Sequence, residues 1–293
     1  MHNRTTVAKR EGDISYTYDG SFEGLLCCVF RSVRQRERPI SVIPCNAPQM
    51  RLFESFCNFY IETDFQQADI VRDAIEKKIS PASLELIHVA FLSCLDEKEL
   101  HILRYLELGF KVGPRVDAML AHPVVSIISE SVRHLHNEAH LLKGFVRFSD
   151  YGGVLAAQIE PKNRVLFAMA GHFCDRFGGE RLIIYDKNHG EAFVCAGGRG
   201  KIVDLEEFEL PAPGEDEALF RSLWMRFHQT IAIKERYNPA CQRGHLPLRY
   251  RGNMTEFTEA GRQLAETKTS NPNGLLKKEE AASLPDVDDK TPL

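Results

Sequence analysis

Residues 138–195 read EAHLLKGFVRFSDYGGVLAAQIEPKNRVLFAMAGHFCDRFGGERLIIYDKNHGEAFVC. Within this stretch the apolar spacing changes from the helical period to period two. Phe145-Val146-Arg147-Phe148 reads as a strand, Asp150-Tyr151-Gly152-Gly153 as a turn and Val154 to Glu160 as the return strand. Pro161-Lys162-Asn163 breaks the pattern. Val165 to Phe177 places Leu166, Ala170, Phe173 and Phe177 on one face of an amphipathic helix, which Gly178-Gly179 stops. Arg181 to Asp186 is a strand, Lys187-Asn188-His189-Gly190 a turn, and Glu191 to Ala196 its return. Asp204 to Glu217 is acidic and broken by proline, as a connection would be. Ala218 to Arg236 then lines up Leu219, Phe220, Leu223, Trp224, Phe227 and Ile231 in one helical stripe. The order ββαββα predicts an antiparallel sheet with helices on one face.

Upstream, the pattern is mainly helical. Ile14 to Tyr18 reads as a short strand, Ser21 as an N-cap, and Phe22 to Phe30 as a buried helix ending in Arg31, Arg34, Arg36 and Arg38. That arginine cluster is either a phosphate-facing patch or a solvated helix end that complements the dipole. Strands are expected around Val42-Ile43 and Phe59 to Thr63. Helices follow at Ala68–Ile79, Ser83–Leu95, Glu97–Leu108 with Gly109 as its stop, and Pro123–Lys143. The fold class is therefore α+β. A helical N-terminal layer over about 64–143 packs with a ββαββα antiparallel-sheet unit over about 144–257, in a single domain from 14 to 257. Residues 258–293 are polar, lack aromatics and are expected to be disordered.

The 293 residues carry a formal net charge of −4, so any basic binding face must be local. None of the eight cysteines forms a Cys-x-x-Cys pair, which argues against a zinc ribbon or an iron–sulfur cluster. No cofactor or metal is expected. Residues 1–12 lack the apolar core of a signal peptide, and no apolar run approaches the ~18 residues of a membrane span. A cytoplasmic protein fits these features.

Four titratable groups flank the ββαββ unit and form the catalytic candidates: Glu138, His140, His172 and Asp186. His136 and His140, at i and i+4, could meet one metal, though a polar helix face explains them as well. Glu138 and His140 could equally hold the junction between helix and strand. His172 and Asp175 could form a base–carboxylate pair, with no nucleophile beside them. Gly197-Gly198-Arg199-Gly200-Lys201 is glycine-rich and basic but lacks the ending of a P-loop. It reads either as a phosphate contact or as a turn leaving the sheet.

The segment from Arg221 to Arg251 is the most suggestive of a ligand. Arg221, Arg226, Lys234, Arg236, Arg243, Arg249 and Arg251 face only Glu235 as an acid. Trp224, Phe227, His228, Tyr237, His245 and Tyr250 are interleaved. Cations with planar groups suit a nucleic-acid backbone plus base stacking. The expected contacts are Arg236, Tyr237, Arg243, His245, Arg249, Tyr250 and Arg251. The competing reading makes Trp224 and Phe227 core and the arginines a solvated surface.

Several strings together resemble a known family. They are Tyr18-Asp19-Gly20-Ser21-Phe22-Glu23-Gly24-Leu25-Leu26, Glu138-Ala139-His140 with Gly144 to Phe148, Ile159-Glu160-Pro161, His172 to Phe177 and Ile184-Tyr185-Asp186. Leu223-Trp224, Ile233 to Asn238, His245 to Tyr250 and Thr255-Glu256-Phe257 complete the set. The resemblance runs from about Tyr16 to Phe257, weakest between Gln35 and Thr63. It points to a bacterial family of unknown function linked to DNA metabolism or repair. Its members are encoded beside a DNA-repair radical SAM protein and sometimes fused to a uracil-DNA glycosylase-like domain. The resemblance implies DNA, the radical SAM protein and a uracil-DNA glycosylase-like protein as partners, and no catalytic residue. No glycosylase-like domain follows Phe257 here, so that activity is not expected of this sequence. Arg251 stands where the family usually has an aromatic residue. The expected function is a DNA repair or modification accessory protein. An enzyme acting on nucleic acid or a nucleotide, and a protein-interaction module without DNA contact, are the alternatives.

Overall fold

A computed structural model of the chain describes residues 14–45, 57–211 and 214–257; the polar tail at 258–293 lies outside the described residues. The chain divides into two compact units. One is Met1–Lys143 with Pro161–Phe173, and the other is Gly144–Glu160 with Cys174–Leu293. Among the described residues no helix is long and apolar enough to cross a membrane.

In the first unit, strand β1 (Ile14–Tyr18) lies between β2 (Ser41–Pro44) and β3 (Cys57–Ile61) and runs parallel to both. Tyr16 and Tyr18 are fully buried from one face. On the other face Ser15 and Thr17 donate to Asn58 Oδ1 at 3.3 and 2.8 Å. β1 and β2 stand where the apolar pattern puts them and β3 lies two residues before the expected Phe59 to Thr63, but parallel pairing needs a crossover, and the periodicity does not record it. The crossover from β1 to β2 is helix α1 (Phe22–Gln35). Ser21 caps it by accepting from Gly24 N–H at 2.9 Å, and Asp19 accepts from the Ser21 hydroxyl at 2.7 Å and the Thr63 hydroxyl at 2.7 Å. A side chain at Gly24 would put its Cβ 2.3 Å from Asp19 Oδ1 and 2.8 Å from Thr63 Oγ1, so only glycine fits this tight junction.

Four more helices complete the layer: α2 (Phe65–Lys78), α3 (Pro81–Phe91), α4 (Lys98–Val112) and α5 (Pro123–Phe145). Asp64 caps α2, and Ser80, followed by Pro81, caps α3. The expected stop at Gly109 is wrong. The helix continues to Val112, and Gly109 is where α4 meets Ile79, whose Cδ1 would lie 2.6 Å from a Cβ. Leu25, Leu26, Ile75, Ile87, Ile102, Leu103, Leu106 and Ile128 join the tyrosines in one buried cluster. Of the arginines at the end of α1, Arg34, Arg36 and Arg38 are exposed, and two of the four are paired within this unit. Arg31 pairs with Glu37 at 3.1 Å and lies 4.1 Å from the Phe59 ring centroid, while Arg38 pairs with Glu107 at 3.6 Å.

The second unit holds a five-stranded sheet in the order β4 (Ser149–Asp150), β5 (Val154–Ile159), β6 (Arg181–Asp186), β7 (Glu191–Ala196), β8 (Arg199–Asp204). Three expectations are corrected here. First, the sheet is mixed, because β5 and β6 run parallel with α6 (Leu166–Arg176) as their crossover, while the other pairs are antiparallel. Second, Phe145 to Phe148 is not a strand. Helix α5 runs through Phe145, whose ring packs on Tyr250, while Phe148 packs on Phe177, so these apolar residues are held by tertiary contacts and not by a ladder. Third, Gly197-Gly198 is a two-residue hairpin turn, with φ of 57° and 70°, which leads into β8. β8 escapes a period-two reading because it is an edge strand with hardly any buried residue, and Arg199 and Lys201 guard the edge.

Candidate nucleic-acid interface

The candidate surface begins with α7 (Glu215–Thr230) in the second unit. This helix is fixed along one polar edge. Glu217 accepts from Arg221 Nε at 2.8 Å and from Asp150 N–H at 3.2 Å, and Arg221 Nη2 donates to Ser149 Oγ at 2.6 Å. At the next turn Trp224 Nε1–H donates to Glu256 at 3.1 Å. Glu256, with only 3% of its side chain exposed, takes a bidentate ion pair from Arg147 at 2.7 Å. The Arg147 guanidinium lies 5.6 Å from the Trp224 ring centroid. Burial opposes ionisation of Glu256, but the donors from Arg147 and Trp224 outweigh it and hold the carboxyl below the ordinary glutamate range. This Arg147–Glu256–Trp224 latch was not anticipated as a site. Its only signal in the sequence was that all three residues sit in the strings carrying the family resemblance.

Because α7 is held by that edge, its apolar stripe faces solvent. Leu219, Phe220, Leu223, Phe227 and Ile231 are each 51–65% exposed, and Trp224 is 40% exposed. Trp224 and Phe227 are therefore not core residues. Leaving such side chains half in water forgoes roughly 1 kcal/mol each.

Beyond α7 the chain turns through a 3-10 segment (Lys234–Arg236) into α8 (Pro239–His245), capped by Asn238, and a second 3-10 segment (Leu248–Asn253). Arg236, Tyr237 and Arg243 are exposed, and Arg236 and Arg243 have no ion pair among the described residues. Tyr237 exposes 62% of its surface. His245 is exposed, with Nδ1 3.0 Å from the Cys241 carbonyl oxygen. Arg249 is exposed and its guanidinium lies 4.5 Å from the Tyr250 ring centroid. Tyr250 itself is 4% exposed, packed on Phe145, so its ring is not offered for stacking. Arg251 is also turned inward. It lies 4.8 Å from the Phe257 ring centroid and donates to the Leu246 carbonyl at 3.3 Å.

The catalytic candidates are distributed differently. Glu138, His140 and His172 belong to the first unit and Asp186 to the second. Glu138 is buried on α5. Its carboxylate accepts from Lys162 N–H at 3.1 Å, Asn163 N–H at 2.9 Å and Asn163 Nδ2 at 2.6 Å. Asn163 Oδ1 in turn accepts from Cys94 N–H at 2.8 Å. Glu138 thus ties the Pro161–Arg164 loop to α5, a different connection from the helix-to-strand junction at Phe145 that was its alternative reading. His140 is exposed, and His172 is exposed with its ring edge-on to Phe173. Asp186 is fully buried and closes the β6–β7 turn, accepting from Asn188 N–H at 3.0 Å and His189 N–H at 3.2 Å, with His189 Nδ1 at 2.7 Å. Among the described residues no three His, Cys, Asp or Glu side chains are grouped to hold a metal. A cleft of about 420 Å³ in the first unit is lined by Phe22, Glu23, Arg72, Leu84, Glu85 and His88 among others, and by none of the candidates.

Residues 96–256, more than half of the chain, match the family model described as a domain of unknown function, DUF4130. No curated protein and no solved structure matches the chain.

Proposed function

The chain belongs to the DUF4130 family, and from that premise we propose that it is a DNA-associated accessory protein. DNA contacts the segment after α7. Arg236 and Arg243 meet phosphates, Arg249 adds a third cation, and Tyr237 supplies a stacking ring. The observation that supports this is a pair of exposed guanidiniums without carboxylate partners among the described residues, flanking an exposed tyrosine, in a chain of net charge −4. Such cations gain from counterion release when they meet phosphate, and a planar ring beside them accepts any base. The family resemblance supplies the setting, repair or modification of DNA beside a radical SAM protein.

The test is fluorescence anisotropy with labelled single- and double-stranded DNA across a salt series. Replacing Arg236 and Arg243 by alanine reduces the log–log salt slope by about 0.9 for each phosphate that is no longer neutralised. Tyr237→Ala weakens single-strand binding by about 1–3 kcal/mol. A wild type that binds no DNA at low salt removes the proposal.

The exposed stripe of α7 favours a second reading, in which this helix docks a protein partner. The radical SAM protein is the occupant the resemblance names. Its capture by the chain in the absence of DNA, abolished by Phe220→Asp, separates this reading from the first. An enzymatic reading through Glu138 and Asp186 is less well supported, since both carboxylates are engaged with backbone N–H groups.

A further inference from the structure

We infer that Cys174 and Cys195 are a redox-modifiable dithiol, converted by a peroxide into a disulfide within the second unit. Cys174 stands at the C-terminal end of α6 and Cys195 on β7, 21 positions apart in sequence. Their sulfurs are 2.8 Å apart. A disulfide needs about 2.05 Å, so closure requires less than an ångström of movement. Among the described residues no other two thiols are so close. Cys27 is instead paired with the Asp64 backbone, Cys28 is buried on α1, and Cys45, Cys57, Cys94 and Cys241 are exposed.

The surroundings hold the pair in place. Cys195 is 1% exposed and sits opposite Leu182 in the β6–β7 ladder, so its backbone cannot drift. Across β7, Gly200 of β8 leaves room for both the helix end and Phe193. A Cβ there would lie 2.4 Å from the Phe193 ring and 3.0 Å from Cys174 Sγ. Cys174 is half-buried and is the sulfur a small oxidant reaches first.

The chemistry needs only hydrogen peroxide as oxidant. The Cys174 thiolate attacks one peroxide oxygen. An S–O bond forms, the O–O bond breaks, and the leaving hydroxide takes up a proton as water. Cys195 sulfur then attacks the Cys174 sulfenic acid. The S–S bond forms, the S–O bond breaks, and a second water departs with the Cys195 proton. Two thiols and one peroxide give one disulfide and two waters. Burial, the adjoining Cys195 thiol of β7 and the Asp175 carboxylate on α6 push the Cys174 thiol up to about 11. The thiolate is therefore scarce at neutral pH, and the first step accelerates about tenfold per pH unit below that value. The pair is a slow dithiol, unlike a low-pKa peroxide sensor.

The test is peptide mapping of the full chain after hydrogen peroxide at pH 7 and pH 9, with remaining thiols blocked by N-ethylmaleimide. Trypsin places Cys174 in the peptide 165–176 and Cys195 in 188–199, each with a single cysteine. The expected product is these two peptides joined with loss of two hydrogens, formed on the order of a hundredfold faster at pH 9 than at pH 7 and separated by dithiothreitol. In Cys195→Ser the same treatment stops at a Cys174 sulfenic acid that dimedone traps. Recovery of both wild-type peptides only in alkylated or sulfinic form overturns the inference. So do cross-links confined to Cys45, Cys57, Cys94 and Cys241.

Discussion

Glu138 shows how a single residue in this chain trades chemistry for architecture. Its buried carboxylate accepts three donors from Lys162 and Asn163, and Asn163 passes the connection on to the backbone of Cys94. Hydrogen bonds to a charged acceptor each contribute about 1.5–3 kcal/mol, and a buried donor left facing an amide loses that and its solvation. Glu138→Gln, which turns one acceptor into a donor, is expected to lower stability by about 2 kcal/mol, read as a drop in the urea midpoint at constant m-value. An unchanged midpoint would mean that the carboxylate is held for some other purpose. The sequence marked Glu138 as one of the titratable groups flanking the ββαββ unit, but it could not show the carboxylate's partners, which lie some 25 residues away. The same limit applied to Tyr237 and Tyr250. Both are tyrosines beside arginines, yet one is 62% and the other 4% exposed, and only the packing of Phe145 decides which.

At the scale of elements, what was legible was whatever local chemistry fixes. Ser21 as a cap, Pro123 as a helix start, and the bounds of β6 and β7 follow from capping, turn residues and alternation, and the structure has them where the pattern put them. What was not legible was whatever depends on a neighbour: the parallel pairing of β5 with β6, the polar edge strand β8, and the facing of α7. Helix α7 carries a strong apolar stripe, and such a stripe ordinarily faces the helix's own core. Here the Glu217 and Arg221 contacts, with Trp224 at the border of the stripe, fix the adjoining edge and leave the rest of the stripe outside. That arrangement makes a specific prediction. Phe220→Asp, at a position 65% exposed, is expected to change folding stability by no more than about 0.5 kcal/mol while abolishing capture of a protein partner. A loss of about 2 kcal/mol or more in the isolated chain, measured by urea unfolding, would show that the stripe packs on its own chain.

For the whole molecule, pH acts on each unit through carboxylates that hold their charge. Asp19 and Asp117 in the first unit, and Glu217 and Glu256 in the second, all sit below their ordinary values. In each, burial raises the value, and the hydrogen bonds from Ser21 and Thr63, from Ser80 and Ser83, from Arg221, and from Arg147 outweigh it. A carboxyl that titrates lower when folded binds fewer protons in the native state. Its stabilisation is therefore fully present above the unfolded values of 3.8 and 4.5, and is lost as pH falls through the folded ones. The alkaline limb has the opposite sign. Burial pushes the Tyr105 hydroxyl from 10.0 up to about 12, and burial raises Tyr16 and Tyr18 as well, so their contribution is complete below pH 10 and declines above it. The expected profile is a urea midpoint insensitive to these groups between about pH 6 and 9, falling below about pH 4.5 and again above pH 10. The chain has a single tryptophan, Trp224, which donates to Glu256, so its fluorescence reports the latch in the second unit while far-UV circular dichroism reports both units. Glu256→Gln should flatten the acid limb seen by fluorescence and leave the part owed to Asp19 and Asp117 in the dichroism. A midpoint that rises on acidification, or a fluorescence limb unchanged by Glu256→Gln, would show that the carboxylates are not held by the partners named.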